Sequence, residues 1–231
     1  MSIADNIAAI KADIAQAAIA AGRDPKDILL CAATKMRDSE SVRLAIRAGV
    51  DCCGENRVQE LVKKQEENAY AGAPVHFIGH LQTNKVRQVV GKVDLIQSVD
   101  SVRLLEAIDR EAQRQGITQD VLLEINIGNE DSKSGFAVSQ IHEICENMTS
   151  FPNIRVLGLM AIPPICHNSG ENRKFFQEMC NLSVDITAKK YDNVWVRFLS
   201  MGMSDDYADA IACGSNMIRI GTAIFGPRSY Q

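Results

Sequence analysis

Strict alternation of strand-like and helix-like segments predicts an α/β fold with a parallel sheet, and eight strand signals are the number that closes a single (β/α)8 TIM barrel. Two further observations favour the barrel over an open sheet. The first and fifth strand signals are continuous apolar runs, as strands buried on both faces should be. The first strand is followed by Lys35-Met36-Arg37-Asp38, where an open doubly wound sheet typically carries Gly-x-Gly-x-x-Gly. The 231 residues suit one barrel, and no Pro/Gly/Ser-rich linker divides residues 1–231, so a single domain is expected.

In chain order, Ile3, Ile7, Ile10 and Ile14 form an apolar stripe at helical spacing. It predicts an additional N-terminal helix begun by Ser2 or Asp5 and ended by Gly22. Strands are expected at Ile28–Thr34, Val50–Gly54, Val75–Gly79, Leu95–Val99, Val121–Ile127, Ile154–Ala161, Val194–Ser200 and Met217–Ile220. Helices are expected between them at Ser39–Ala48, Arg57–Asn68, Asn84–Val90, Ser101–Gln115, Val138–Met148, Asn172–Ala188 and Asp206–Cys213. The stretch Ile162–Gly170, with Pro163 and Pro164, reads as a long loop. Lys63-Lys64 with Glu66-Glu67 reads as an exposed helix face, and Trp195, Cys52 and Cys53 read as core.

A net charge of −4, with both signs dispersed along the chain, points to neither nucleic acid nor an anionic membrane. No apolar run approaches the roughly 20 residues of a spanning helix, and Met1-Ser2-Ile3-Ala4-Asp5-Asn6 lacks the pattern of a signal peptide. Seven cysteines without scaffold-like spacing suggest reduced thiols in the cytoplasm. No C-x-x-C or H-E-x-x-H spacing occurs, so no metal site is expected.

In a barrel of this kind the active site lies at the C-terminal ends of the strands. Lys35 stands there, after the first buried strand. Partial desolvation disfavours an ammonium and leaves a nucleophilic amine, which is the chemistry of a Schiff-base lysine. Asn56, His80 and Met160 follow or end the second, third and sixth strands. His80 either lines the site or merely begins a helix. Ser200-Met201 and Gly221-Thr222 end the last two strands and offer hydroxyls and backbone N–H groups suited to a phosphate. Arg219 either pairs with that phosphate or projects toward a cofactor ring. A lysine that captures carbonyls, facing a phosphate cradle, suggests pyridoxal 5′-phosphate.

Several motifs are long and specific: Ala33-Thr34-Lys35, Gly54-Glu55-Asn56-Arg57-Val58-Gln59-Glu60, the run from His76 to Lys85, Ser132-Lys133-Ser134-Gly135-Phe136, Gly158-Leu159-Met160, the run from Ser200 to Asp206, and the run from Arg219 to Gly226. Together they resemble the pyridoxal phosphate homeostasis protein family, whose fold is that of the alanine racemase N-terminal barrel. The resemblance runs from the opening helix to the C-terminus. It implies the cofactor on Lys35, phosphate ligands at Ser200, Gly221 and Thr222, and Arg219 beside the pyridine nitrogen. It also implies a protein that carries and buffers the cofactor, influences amino-acid and keto-acid balance, and performs no established reaction.

The related racemases draw a second acid/base group, a tyrosine, from a C-terminal domain of the partner subunit. This chain ends just after the eighth strand, so a monomer with negligible catalysis is expected, its partners being the cofactor and apo enzymes that use it. The competing readings are a single-domain pyridoxal phosphate-dependent racemase or lyase, and a cofactor-free Schiff-base aldolase.

Overall fold

Eight parallel strands pair in sequence order and β8 returns to β1, closing the barrel. The computed structural model describes residues 2–130, 133–164 and 170–227. Its strands are β1 Leu29–Ala33, β2 Cys52–Glu55, β3 Val75–Phe77, β4 Leu95–Val99, β5 Gln119–Ile125, β6 Ile154–Ala161, β7 Val194–Ser200 and β8 Met217–Ile220. The α-helices are α1 Ile3–Ala20, α2 Ser39–Arg47, α3 Val58–Glu66, α4 Val102–Gln115, α5 Ile141–Glu146, α6 Arg173–Lys189, α7 Tyr207–Ala212 and α8 Thr222–Phe225.

Helix α1 uses both residues expected at its start. The Ser2 hydroxyl accepts from the Asp5 N–H, and the Asp5 carboxylate accepts from the Ser2 N–H. Ile7, Ile10, Ile14 and Ala18 are buried, against α2, α7 and α8. Each buried isoleucine contributes about 1.5–3 kcal/mol, so this helix clamps the seam between the first and last strands.

The fold has two apolar layers. The larger lies between the barrel wall and its helices. The smaller, inside the barrel, holds Cys31, Cys52, Leu95, Leu122, Met160 and Met217. Alternation along each strand sorts residues between them: Cys52 enters the interior layer, while Cys53 joins the helix side.

Three expectations need correcting. The segment expected as an α-helix over Asn84–Val90 is a 3-10 helix at Thr83–Gln88. Val86 and Val89, both buried, are three residues apart, and a three-residue turn aligns them on one face. The predicted helix over Val138–Met148 keeps an α-helical centre only at α5, flanked by 3-10 turns. Trp195 is 54% exposed. It shares the outward parity of Leu199, but Leu199 is buried while Trp195 stands at the N-terminal end of β7. Residues 165–169 of the predicted loop lie outside the described residues.

Candidate functional site

Thr34 sits directly after β1 and is bound on every side. Its N–H donates to the Gly54 carbonyl at 2.8 Å, and its hydroxyl lies 3.1 Å from both that carbonyl and Glu55 Oε2. Lys64 Nζ donates to the Thr34 carbonyl at 2.7 Å and to Glu55 Oε2 at 2.6 Å. The Tyr70 hydroxyl donates to the same carboxylate oxygen at 3.1 Å. Burial, reinforced by Glu55, pushes the Tyr70 phenol well above its ordinary value, so it stays a donor. Lys64 is therefore no part of an exposed helix face: it is 4% exposed and ion-paired.

This network fixes the corner that presents Lys35. Met36, the next residue, adopts a left-handed backbone (φ 58°), and its N–H donates to Glu60 Oε2 at 2.6 Å. A left-handed conformation is costly for a side-chain-bearing residue, and the Glu60 bond holds it. Glu60 is half-buried and serves the lysine corner.

Lys35 opens into a hollow of about 420 Å³ at the C-terminal mouth of the barrel. Arg37, Ser204, Arg219, Gly221, Thr222 and Ala223 also line it. A Cβ at Gly221 would stand 3.3 Å from both the Cβ and the carbonyl oxygen of Ala33, so glycine permits β8 to end flush against β1. Thr222 and Ala223 begin α8, where N–H groups have no partner within the helix. The mouth thus combines an amine, two guanidinium groups, two hydroxyls, the Asp205 carboxylate and the first backbone N–H groups of α8.

Arg219 forms the floor and continues into the barrel. Its Nη1 donates to Ser200 Oγ at 2.6 Å and its Nη2 to the Ala161 carbonyl at 2.9 Å. Ser200 Oγ donates to Gln97 Oε1 at 2.7 Å, and Gln97 Nε2 lies 2.8 Å from His76 Nδ1. Burial lowers the Arg219 guanidinium from its ordinary value, but arginine begins so high that it stays charged.

Three expected ligands lie outside the lining of this hollow. Ser200 lies inside the barrel with its hydroxyl committed to Gln97 and Arg219, because the alternation of β7 turns it inward; Ser204 of the following loop lines the hollow instead. Met201 is fully buried, its N–H donating to the Met217 carbonyl at 3.2 Å. Met160 packs in the interior layer beneath the mouth. Lys35, Arg219, Gly221 and Thr222 are the expected residues brought together in the first hollow.

Asn56 and His80 line a second hollow of about 270 Å³ at the same mouth, with Glu124, Asn126, Lys133 and Ser134. Asn56 Oδ1 is buried and lacks a hydrogen-bond partner among the described residues. Its backbone is pinned by Gly79, where a Cβ would fall 2.2 Å from the Asn56 carbonyl oxygen. His80 Nδ1 lies 3.1 Å from Asp100 Oδ2, with the histidine exposed. Lys133 Nζ donates to the Pro163 carbonyl and pairs with Glu130, both at 2.9 Å; its neighbour Ser132 lies outside the described residues. Glu124 is pushed up to about 7, first by burial and then by Asp100, with Arg219 and His80 opposing.

Sequence reasoning missed Glu124, Gln97 and His76 as site residues. Glu124 breaks the fifth strand, expected to be continuously apolar, and Gln97 breaks the apolar run of β4. A polar residue inside a buried strand is the signal that could have found both.

Residues 5–229 match the family model described as alanine racemase, N-terminal domain. A pyridoxal phosphate homeostasis protein from Aquifex aeolicus is 40% identical over 230 residues, covering 100% of both chains. The chain belongs to the pyridoxal phosphate homeostasis protein family. The Escherichia coli K12 member of the family is 38% identical over 232 residues, covering 99% of this chain and 98% of its own. The solved structure of PipY from Synechococcus elongatus, with pyridoxal phosphate bound, superposes with a TM-score of 0.83 at 29% identity, covering 97% of this chain and 100% of PipY. Clostridium difficile alanine racemase shares the fold at 17% identity (TM-score 0.72), this chain covering 58% of it. Within the homeostasis family the barrel therefore accounts for the full length of the relatives, whereas in that racemase it is one part.

Proposed function

We propose that this chain binds pyridoxal 5′-phosphate in the Lys35 hollow and serves its homeostasis by carrying and buffering it in the cytoplasm, as a monomer, for delivery to apo enzymes. One observation carries the reading: a lysine amine, Arg219 and the Gly221-Thr222-Ala223 backbone converge on one cavity of about 420 Å³. The residues fit the group. Lys35 supplies the amine that would hold an aldehyde, and the Thr222 hydroxyl with the first N–H groups of α8 suits a phosphate. Glycine at position 221 lets the start of α8 sit close against Ala33 at the edge of the hollow. When bound, the cofactor supplies an electrophilic aldehyde and an electron-withdrawing ring. The names of the relatives and the ligand of PipY support the same assignment.

The second reading, a single-domain racemase or lyase, draws on Glu124, whose carboxyl is held near neutrality at the same mouth. Glu124 and His80 line the second hollow, apart from Lys35, while Asp205 supplies a carboxylate to the lining of the Lys35 hollow. A transfer assay separates the readings. The loaded protein should activate an apo pyridoxal enzyme while free cofactor is trapped, and amino acids incubated with it should keep their chirality. Failure to transfer together with racemisation would overturn the carrier reading.

A further inference from the structure

Beneath the mouth, the interior layer holds two sulfurs and an imidazole in one place. The ligand atoms of Cys31, Cys52 and His76 lie within 4.8 Å of one another, and all three residues are buried. Strand register creates the group: Cys31 pairs laterally with Cys52 on one side and with Arg219 on the other. None of the three contributes to either hollow at the mouth.

From this geometry we infer that the barrel interior is a binding site for a thiophilic monovalent metal ion, Cu+, held by Cys31, Cys52 and His76. Thiolates and imidazole are the donors that soft ions choose. The thioethers of Met160 and Met217 belong to the same buried layer, which makes the surroundings soft as well. Coordination number decides between the common candidates. Structural Zn2+ takes four ligands, and among the described residues the cluster offers three. Charge points the same way. Two thiolates around Cu+ carry a net charge of −1, and the buried Arg219 guanidinium beside Cys31 has no carboxylate ion-pair partner among the described residues.

Binding releases both thiol protons, and no electron is transferred. His76 must offer a lone pair from its free ring nitrogen and keep its proton on Nδ1. The Gln97 amide would then turn, presenting Oε1 to His76 and its NH2 to Ser200, so the metal site connects through Gln97 and Ser200 to Arg219 at the floor of the mouth. Because the site is closed, loading belongs to folding rather than to the finished barrel.

The test refolds the full chain anaerobically with stoichiometric Cu+ or Zn2+, removes loosely held ions with a chelator, and measures metal content and X-ray absorption. One copper per chain with sulfur and nitrogen neighbours is expected. Cys31→Ala and Cys52→Ala should each lose it, and Cys53→Ala, which faces the helix layer, should keep it. Near-ultraviolet circular dichroism confirms that each variant has folded. Copper retained equally by folded Cys31→Ala and Cys52→Ala, zinc retained in place of copper, or a Cys31–Cys52 disulfide with no metal would each overturn the assignment.

Discussion

Lys64 reaches from α3 to the carbonyl of Thr34, the residue immediately before Lys35, at 2.7 Å. The same ammonium neutralises Glu55, which is 0% exposed. Removing one member of a buried pair strands the other, at a typical cost of about 3–5 kcal/mol. Lys64→Met should therefore lower stability by about that amount in denaturant unfolding and loosen the Lys35 corner. Lys64→Met combined with Glu55→Leu should cost less than Lys64→Met alone. Additive losses would show that the pair is not coupled.

Much of this barrel was legible in the sequence because buried parallel strands are apolar runs with polar or glycine boundaries. Leu95–Val99, Ile154–Ala161, Val194–Ser200 and Met217–Ile220 form as read. Lys35 and Gly221-Thr222 were legible for a topological reason: barrel chemistry gathers where strands end. What escaped depends on neighbours remote in sequence. Lys64 looks like surface until Glu55 and Thr34 are placed beside it. Ser200 stands at a strand end, and only the parity of β7 shows its hydroxyl turned toward Gln97. The Cys31, Cys52 and His76 group comes from three strands, and no local spacing announces it.

Lys35 should carry the cofactor covalently. Lys35→Ala should fold but lose both the visible absorbance of the loaded protein and the adduct that borohydride fixes. Peptide mass mapping checks the residue. An adduct found on Lys133, which lines the neighbouring hollow, would reassign the site.

The phosphate should rest on the start of α8. At Gly221 even a Cβ is tight against Ala33 at 3.3 Å, and the branched chain of Gly221→Val would enter the hollow, so cofactor affinity should fall strongly. Thr222→Ala removes one hydrogen bond to a charged group, worth about 1.5–3 kcal/mol, or roughly ten- to a hundredfold in the dissociation constant. Equilibrium dialysis with pyridoxal and its phosphate checks the cradle. Equal affinity for the two would contradict it.

Glu124 should make stability fall with rising pH. Its folded value is raised to about 7 from an ordinary 4.5, so its favourable contribution is complete below about pH 4.5 and is lost as pH rises through 7. The loss is on the order of 2 kcal/mol for a half-buried group. Glu124→Gln, which carries no charge, should remove that slope and be the more stable protein at pH 8. Parallel stability profiles for the two proteins between pH 4.5 and 8 would place the perturbed group elsewhere.

Catalysis at an amino-acid α-carbon should be negligible even when cofactor is bound. Proton removal and return need two acid/base groups flanking one carbon. Lys35 can be one. Arg219, at the floor of the same hollow, stays protonated and is already donating to Ser200 and the Ala161 carbonyl, so it cannot be the other. Arg37, the other guanidinium there, donates to the Gly226 carbonyl. Glu124 titrates in a useful range but lines the second hollow, and His80 beside it is bound to Asp100 and open to solvent. The Asp205 carboxylate, on the loop after β7, also lines the Lys35 hollow, so any residual exchange should be sensitive to Asp205→Asn. Exchange of the α-proton of alanine in deuterated solvent, followed by NMR on the loaded protein, should stay far below the roughly 1–10³ per second of ordinary enzymes. Exchange at such rates, abolished by Glu124→Gln, would instead make Glu124 the missing base and the protein a racemase.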